Sequence, residues 1–169
     1  MMDRRGQGAL FDAMAFLVIM AVASSAMYAY SGALARDART ASAASEIEYA
    51  RGMLASLSRA TISGASYFVG GEQCALGDSP AAALIVEELA MLASGTEAEF
   101  SALNGRLAAA AESLSGGRQW SLSCSYDGAS ANFSLGTEAP QSRYSASLEL
   151  QMAGGLPGRA SVVLSIWRP

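Results

Sequence analysis

A long apolar segment near the N-terminus constrains the fold of this chain more than any other feature. From Ala9 the sequence reads ALFDAMAFLVIMAVASSAMYAY, and after Asp12 no charged residue occurs before Arg36. A helix of about 20 such residues is long enough to cross the roughly 30 Å of hydrocarbon in a bilayer. A helix buried in a soluble domain normally keeps a polar face at a period of 3.6 residues, and residues 13–23 have none. We therefore predict a transmembrane helix over residues 9–30, held in membrane lipid.

The sequence on either side of this segment predicts how the chain is organised. Residues 1–8 are short, polar and basic, as in the charged leaders of exported or anchored proteins. After the segment, alanine, leucine, glutamate and arginine dominate residues 31–62, and no proline interrupts them. We predict one long helix from about residue 9 to residue 62, in which residues 31–62 form a stalk that continues into the head. The head domain then occupies residues 63–169.

A loop and a short helix are predicted at the start of the head. Residues 63–77 are rich in glycine and serine, which indicates a loop, with a short extended piece at residues 67–69. Ser79 followed by Pro80 predicts a helix start, with Ser79 as the N-cap and Pro80 at the first helical position. This helix should stop at Gly95.

One more helix and an antiparallel sheet are predicted in the rest of the head. Thr96 and Glu99 have the spacing of a capping box, which predicts a helix from Thr96 to about Ser115. From Arg118 the apolar period changes to two, as in strands with one buried face. The alternating apolar residues are Trp120, Leu122, Cys124 and Tyr126; Tyr144, Ala146, Leu148, Leu150 and Met152; Ala160, Val162, Leu164 and Ile166; and, in a short fourth strand, Phe133 and Leu135. The predicted fold class is α+β, with a long N-terminal helix, two shorter helices and a three- to four-stranded antiparallel sheet.

The composition argues against several classes of function. The net charge is −4, the pI is about 4.8 and every basic residue is an arginine, so we expect no clustered basic face and no nucleic acid partner. Histidine and lysine are both absent, which removes the commonest general base, the commonest metal ligand and a catalytic amine. No phosphate-binding glycine loop or dinucleotide fingerprint occurs. We therefore predict no catalytic residue, no metal and no cofactor.

Carboxylates are the remaining candidates for catalysis. Glu87 and Glu88, together with Glu97 and Glu99, flank the predicted helix junction. A pair of carboxylates that faces one cleft can hydrolyse a glycosidic bond. We favour the alternative interpretation, in which these residues lie at solvated helix ends.

Cys74 and Cys124 are too far apart in sequence for a CxxC redox or zinc motif. In a cytosolic protein we would expect two buried thiols. In an extracellular head they could form a disulfide that closes a loop of about 50 residues and adds about 4 kcal/mol of stability. Both alternatives stay open, because the distance between the Cα atoms decides between them.

The apolar segment has two features that suggest helix assembly. Ala21, Ser25, Ala29 and Ala33 recur every four residues and predict a smooth strip along which another helix can approach closely. Asp12 is costly at a lipid-exposed position unless it is paired, neutralised or near the interface. Two interpretations of Asp12 stay open: it lies at headgroup depth, or it neutralises a positive charge from a neighbouring subunit.

The N-terminal residues resemble a known type of leader. Arg4-Arg5-Gly6-Gln7, followed by an apolar helix with an early acid, is similar to the class III leader of archaeal type IV pilins and archaellins. The resemblance implies that a prepilin peptidase recognises Arg5, Gly6 and Gln7 and cuts after Gly6. It also implies that the helix from Gln7 bundles with other pilin-like subunits in a filament core. The head is then outside the cytoplasm of a single-pass protein of the cell membrane.

Our leading hypothesis is a non-enzymatic pilin-like subunit of a surface filament or pseudopilus. A second hypothesis is a single-pass membrane protein whose external head binds a ligand or partner without polymerising. A third is a secreted protein with a cleaved signal peptide, because Ala33-Leu34-Ala35 before Arg36 satisfies the small-residue cleavage rule. Basic residues flank both ends of the segment, so the distribution of charge alone does not settle the orientation.

Overall fold

The computed structural model describes residues 4–135, 140–153 and 156–168. The chain divides into two compact units, with the boundary between Ala44 and Ser45. Its helices and antiparallel sheets confirm the predicted α+β fold class.

The first helix, α1, spans Arg4–Arg59. It begins before the predicted start at residue 9, and Gly32 and Gly52 do not interrupt it. The predicted end at Ile62 is wrong, because Thr61–Ile62 forms strand β1, which pairs with Ser79–Pro80, strand β4. Pairing with a distant segment therefore ends the helix three residues earlier than its local composition suggests.

The part of α1 after Ser45 supplies one side of the core of the second unit. Ala50, Met53, Leu54 and Leu57 are all buried, at the three- and four-residue spacings that place side chains on one helix face. The helix therefore packs on the rest of the head through one apolar stripe.

Short strands replace most of the predicted loop. Strand β2, Ser66–Val69, confirms the extended piece, but it also pairs with β3, Glu72–Ala75, in a hairpin that the sequence analysis missed. Strand β5, Ala98–Glu99, joins the other side of β2. The hairpin turns at Gly70 and Gly71, which both have positive φ values that glycine adopts without the strain of a side chain.

The two shorter helices are present, but both predicted starts are wrong. Helix α2 spans Ala81–Ala93 and α3 spans Ser101–Leu114. Ser79 and Pro80 belong to β4, and Pro80 occupies the N-cap position without a side-chain cap. Glu99 belongs to β5 and accepts a hydrogen bond from Ser101 Oγ, so the capping box does not form. The predicted stop of the first of these helices at Gly95 is confirmed by its positive φ of 72°.

The larger sheet contains four antiparallel strands in the order β7-β6-β9-β8. These are β6, Gln119–Tyr126; β7, Ala129–Leu135; β8, Tyr144–Gln151; and β9, Arg159–Trp167. The inward-facing residues of β6 and β9 are buried, as the period-two pattern predicts. The opposite face carries rows of serines across the strands, including Ser121 beside Ser165 and Ser165 beside Ser145.

A cluster of charged and aromatic side chains connects α1 to the sheet. We define the Glu46 cluster as Glu46, Tyr49, Arg118 and Arg168. Glu46 is only 6% exposed; its carboxylate accepts hydrogen bonds from Arg118 Nε at 2.9 Å and from Arg168 Nη2 at 2.5 Å. These two arginines hold the pKa of Glu46 below its ordinary value.

Tyr49 completes the cluster. The guanidinium of Arg118 lies 3.7 Å from the centroid of the Tyr49 ring, a cation–π geometry. The Tyr49 hydroxyl donates to the carbonyl oxygen of Leu114 at 2.8 Å. Gly116 passes so close that an added Cβ would lie 2.6 Å from Tyr49 Oη. The cluster therefore joins α1, the end of α3 and the two central strands.

Substitution of Gly116 tests this close approach. Gly116 and Gly117 both have positive φ values, 59° and 79°, but an added Cβ at Gly117 meets no atom within 4 Å. Each alanine variant pays about 1 kcal/mol for the left-handed backbone, and only Gly116→Ala also displaces Tyr49. We expect Gly116→Ala to lower the free energy of unfolding in urea by about 1–2 kcal/mol more than Gly117→Ala. Equal losses of unfolding free energy in the two variants would contradict the close approach of residue 116 to Tyr49.

Candidate functional site

The surface most suited to an interaction is the apolar part of α1 within the first unit. Among the side chains described there, twelve large hydrophobic ones are exposed, with exposed fractions from 51% to 84%; they are Phe11, Met14, Phe16, Leu17, Val18, Ile19, Met20, Val22, Met27, Tyr28, Tyr30 and Leu34. A water-soluble surface rarely carries so large a continuous apolar patch, and such patches mark protein or membrane contacts. We call this surface the apolar segment.

The apolar segment has the length and composition of a membrane-spanning helix. The mean hydropathy of its most apolar 18 residues is 1.8, and none of those residues is buried. From residue 13 to residue 35 the helix has no charged side chain, which at 1.5 Å per residue is about 35 Å. This exceeds the roughly 30 Å of a bilayer interior. In the part of the chain that the structure describes, one helix near the N-terminus therefore fits a single-pass membrane protein.

The small-residue strip lies on the exposed surface of the apolar segment. Ala21, Ser25, Ala29 and Ala33 are all exposed. Ser25 Oγ donates to the carbonyl oxygen of Ala21 at 2.7 Å, so its hydroxyl group is satisfied within its own helix. A strip with short side chains and no unmet hydroxyl donor suits close contact with another apolar helix.

The predicted leader residues and the early acid lie in the first turns of α1. Arg5, Gly6 and Gln7 belong to the helix, and their side chains lie outside the residues whose side chains the structure describes. Asp12 is exposed. The backbone therefore continues as a helix through the predicted cleavage position between Gly6 and Gln7.

The four candidate carboxylates are distributed among three places in the head. Glu97 and Glu99 are exposed and line a shallow hollow with Phe68 and the glycines of the β2–β3 turn. Glu87 lines a separate groove and accepts a hydrogen bond from the Tyr67 hydroxyl at 3.1 Å. Glu88 is buried, and burial raises its pKa. The structure does not bring these two pairs into one cleft.

A groove beside Glu87 is a second concave surface of the head. It has a volume of about 560 Å³ and lies between α2 and the edge strand β8. Its lining is apolar except for Glu87 and Gln151; the other lining residues are Ala82, Ala83, Val86, Ala90, Leu150 and Ala153. Among the residues that the structure describes, no three histidine, cysteine or acidic side chains are grouped to hold a metal ion.

The two cysteines lie in different sheets, and both are free thiols. Cys74 is half-buried in β3, and Cys124 is fully buried in β6. Burial, with the nearby carboxyl group of Glu88 as a smaller cause, raises the pKa of the Cys124 thiol to about 12. The disulfide that the sequence left open is not formed in this structure, and Cys124 is an inert core residue.

The sequence analysis missed Glu46 and its two arginines. Glu46 lies four residues before Ala50 and seven before Met53, so it falls on the buried stripe of α1. A charged residue on an apolar stripe predicts a buried ion pair. That signal identifies Glu46, but nothing local to Arg118 or Arg168 indicates that they are its partners.

Comparisons with models of known protein families, with curated protein sequences and with solved structures found no match. The resemblance to pilin leaders therefore depends on the N-terminal residues themselves.

Charged substitutions in the apolar segment test membrane anchoring. Arginine at the centre of a spanning helix costs about 2.5–3.5 kcal/mol. We expect Val18→Arg combined with Val22→Arg to move the protein out of the alkali-resistant membrane fraction. A double control, Ser123→Arg with Ser125→Arg, adds the same charge on the exposed face of β6 and should leave the protein in the membrane. Equal membrane retention of both variants would argue against the anchor.

Proposed function

We propose that this chain is a non-enzymatic subunit that is anchored in a membrane by α1 and assembles through the same helix into a pilin-like surface filament or pseudopilus. The observation that carries the proposal is the apolar segment. Its large hydrophobic side chains are exposed along a length of helix that matches the thickness of a bilayer interior. The same side chains require a non-aqueous environment both before and after assembly. Lipid supplies it in the membrane, and the helices of neighbouring subunits supply it in a filament.

The small-residue strip supports assembly in addition to anchoring. Lipid contact does not require small side chains, since lipid tails pack equally well against leucine or isoleucine. Close helix contact does require them, because the backbones approach only where side chains are short. The Ser25 hydroxyl group donates a hydrogen bond to the carbonyl oxygen of Ala21, so it leaves no unsatisfied donor on this face.

The position of Asp12 supports the proposal that the helix contacts a positively charged group of a neighbouring subunit. It is an exposed carboxylate immediately before the uncharged stretch, where an unpaired charge is unfavourable in an apolar environment. In the proposed assembly it neutralises a positive group of a neighbouring subunit, such as an N-terminal amine created by cleavage after Gly6. A prepilin peptidase is the processing partner that this proposal requires.

The head supports a structural role rather than catalysis. Its sequence offers no histidine or lysine, and of its four candidate carboxylates only Glu97 and Glu99 share a hollow, which is shallow. We propose that the head is displayed outside the cytoplasm, and that it does not use nucleic acid or a cofactor.

The N-terminal sequence of the mature protein tests processing. We expect the protein isolated from its native membrane to start at Gln7, which removes the basic leader and exposes a new amine near Asp12. A start at Met1 would contradict the pilin proposal and favour a single-pass protein with a ligand- or partner-binding head. A start at Arg36 would favour a secreted domain released by signal cleavage.

A matched pair of substitutions tests assembly separately from anchoring. Ala29 lies on the small-residue strip, whereas Ala23 lies about 120° from it around the same helix and outside the strip; both are exposed. Ala29→Ile and Ala23→Ile add the same volume and the same hydrophobicity, so both should remain in the membrane. We expect only Ala29→Ile to reduce the yield of filaments sheared from the cell surface, by about tenfold. Equal yields from both variants would mean that the strip is not an assembly surface.

A further inference from the structure

Glu88 is a buried carboxyl group that the proposed assembly does not use. It lies on α2 among the core residues Leu84, Ile85 and Leu89, and only 3% of it is exposed. An ionised carboxylate in such a place is strongly unfavourable unless cations or several hydrogen-bond donors compensate for the lost water. Among the described residues, no arginine forms an ion pair with Glu88.

The contacts of Glu88 are complementary to a protonated acid. Asn104 on α3 donates from Nδ2 to Glu88 Oε1 at 3.2 Å. In the described part of the chain, the other oxygen of each group, Glu88 Oε2 and Asn104 Oδ1, is buried without a hydrogen-bond partner. Two oxygens cannot bond each other when both are acceptors only. A single proton on Oε2 turns the same two atoms into a donor and an acceptor.

We propose that the folded head binds one proton at Glu88 and holds it in a cyclic acid–amide pair with Asn104, in which Asn104 Nδ2–H donates to Glu88 Oε1 and Glu88 Oε2–H donates to Asn104 Oδ1. This pair satisfies both orphaned oxygens without adding a charge to the core. It joins α2 to α3 under the sheet, so the packing of the two helices is linked to proton uptake.

Among the described residues, no positive charge pairs with Glu88 to favour its ionised form. From the sheet, the titratable group that faces it is the Cys124 thiol on β6, which stays un-ionised because burial raises its pKa to about 12. From α3 the facing group is Asn104, which does not titrate. The preceding acid on α2, Glu87, accepts a hydrogen bond from Tyr67. Burial likewise raises the pKa of Glu88 above its ordinary value of 4.5, although the Asn104 hydrogen bond acts in the opposite direction.

Proton binding makes the stability of the head depend on pH with a definite sign. Because the pKa of Glu88 is higher in the folded than in the unfolded chain, the folded state binds more protons above pH 4.5. The folding equilibrium constant therefore falls as the pH rises from 4.5 toward the folded pKa, by up to about tenfold per pH unit. Glu46 acts below this window, because its pKa is lowered and its contribution is lost only as the pH falls below 4.5.

The test is urea unfolding of the full chain in detergent micelles over a pH series that starts at about 4.5. Trp120 and Trp167 are both buried in the head, so their fluorescence reports its unfolding. Glu88→Gln places a permanent N–H donor opposite Asn104 Oδ1, and the paired hydrogen bonds then need no proton. Glu112→Gln is the matched control, because Glu112 is an exposed acid on α3.

We expect the wild type and Glu112→Gln to lose stability in parallel as the pH rises, whereas Glu88→Gln lacks this loss and becomes relatively more stable.

Infrared spectra at about pH 6, where an ordinary glutamate is almost fully ionised, should contain the carbonyl band of an un-ionised carboxylic acid. That band should disappear in Glu88→Gln and persist in Glu112→Gln. Should Glu88→Gln fail to fold, Asn104→Ala is the second variant, and it should shift the frequency of the band because it removes both hydrogen bonds of the pair. The proposal is overturned if the stability of Glu88→Gln falls with pH as steeply as that of the wild type. It is also overturned if neither Glu88→Gln nor Asn104→Ala changes the carboxylic acid band.

Discussion

The packing of the head around α1 depends on one buried carboxylate. Glu46 comes from the helix, while its two arginines come from the residue before β6 and the residue after β9, which are the two central strands of the sheet. Because an ionised carboxylate is costly away from water, the arrangement that satisfies Glu46 with both guanidinium groups is strongly preferred over alternatives. Tyr49 adds the end of α3 through Arg118 and the Leu114 carbonyl. One side chain thus connects elements that are distant in sequence.

The first helix, α1, presents two different surfaces along its length. In the first unit its large hydrophobic side chains are exposed on all sides, which is the pattern of a helix that is surrounded by lipid or by other helices. In the second unit only one stripe of the helix is buried, and its remaining faces are polar, as expected for a helix packed on a water-soluble domain. The exposed surface of this one continuous helix thus changes from apolar in the first unit to polar in the second. This combination fits a single-pass membrane protein.

The core of the head also contains polar groups whose role is specificity of packing. Glu88 and Asn104 place a hydrogen-bonding requirement between α2 and α3, where apolar side chains alone would permit the helices to slide past each other. Cys124 is small and fully buried beside them. The sheet supplies the opposite surface with its row of large apolar residues. On its other face, Ser123, Ser147 and Ser161 are exposed, whereas Ser165 is buried. A few directional polar contacts thus fix how the elements of the head pack within a mainly apolar, non-directional core.

The sequence by itself determined the apolar segment, the α+β class, the presence of all three helices and the faces of the long strands. These features depend on composition and on periods of 3.6 and 2 residues, which are local properties that a chain carries before it folds. The tertiary structure decided where the helices begin and end, which strand pairs with which, and what the buried charges contact. Thr96 and Glu99 have the spacing of a capping box, but Ala98–Glu99 pairs with Phe68–Val69 across more than one intervening element. Likewise, Glu46 finds partners more than 70 residues away. Contacts of this kind form only when distant segments meet, so no local pattern specifies them.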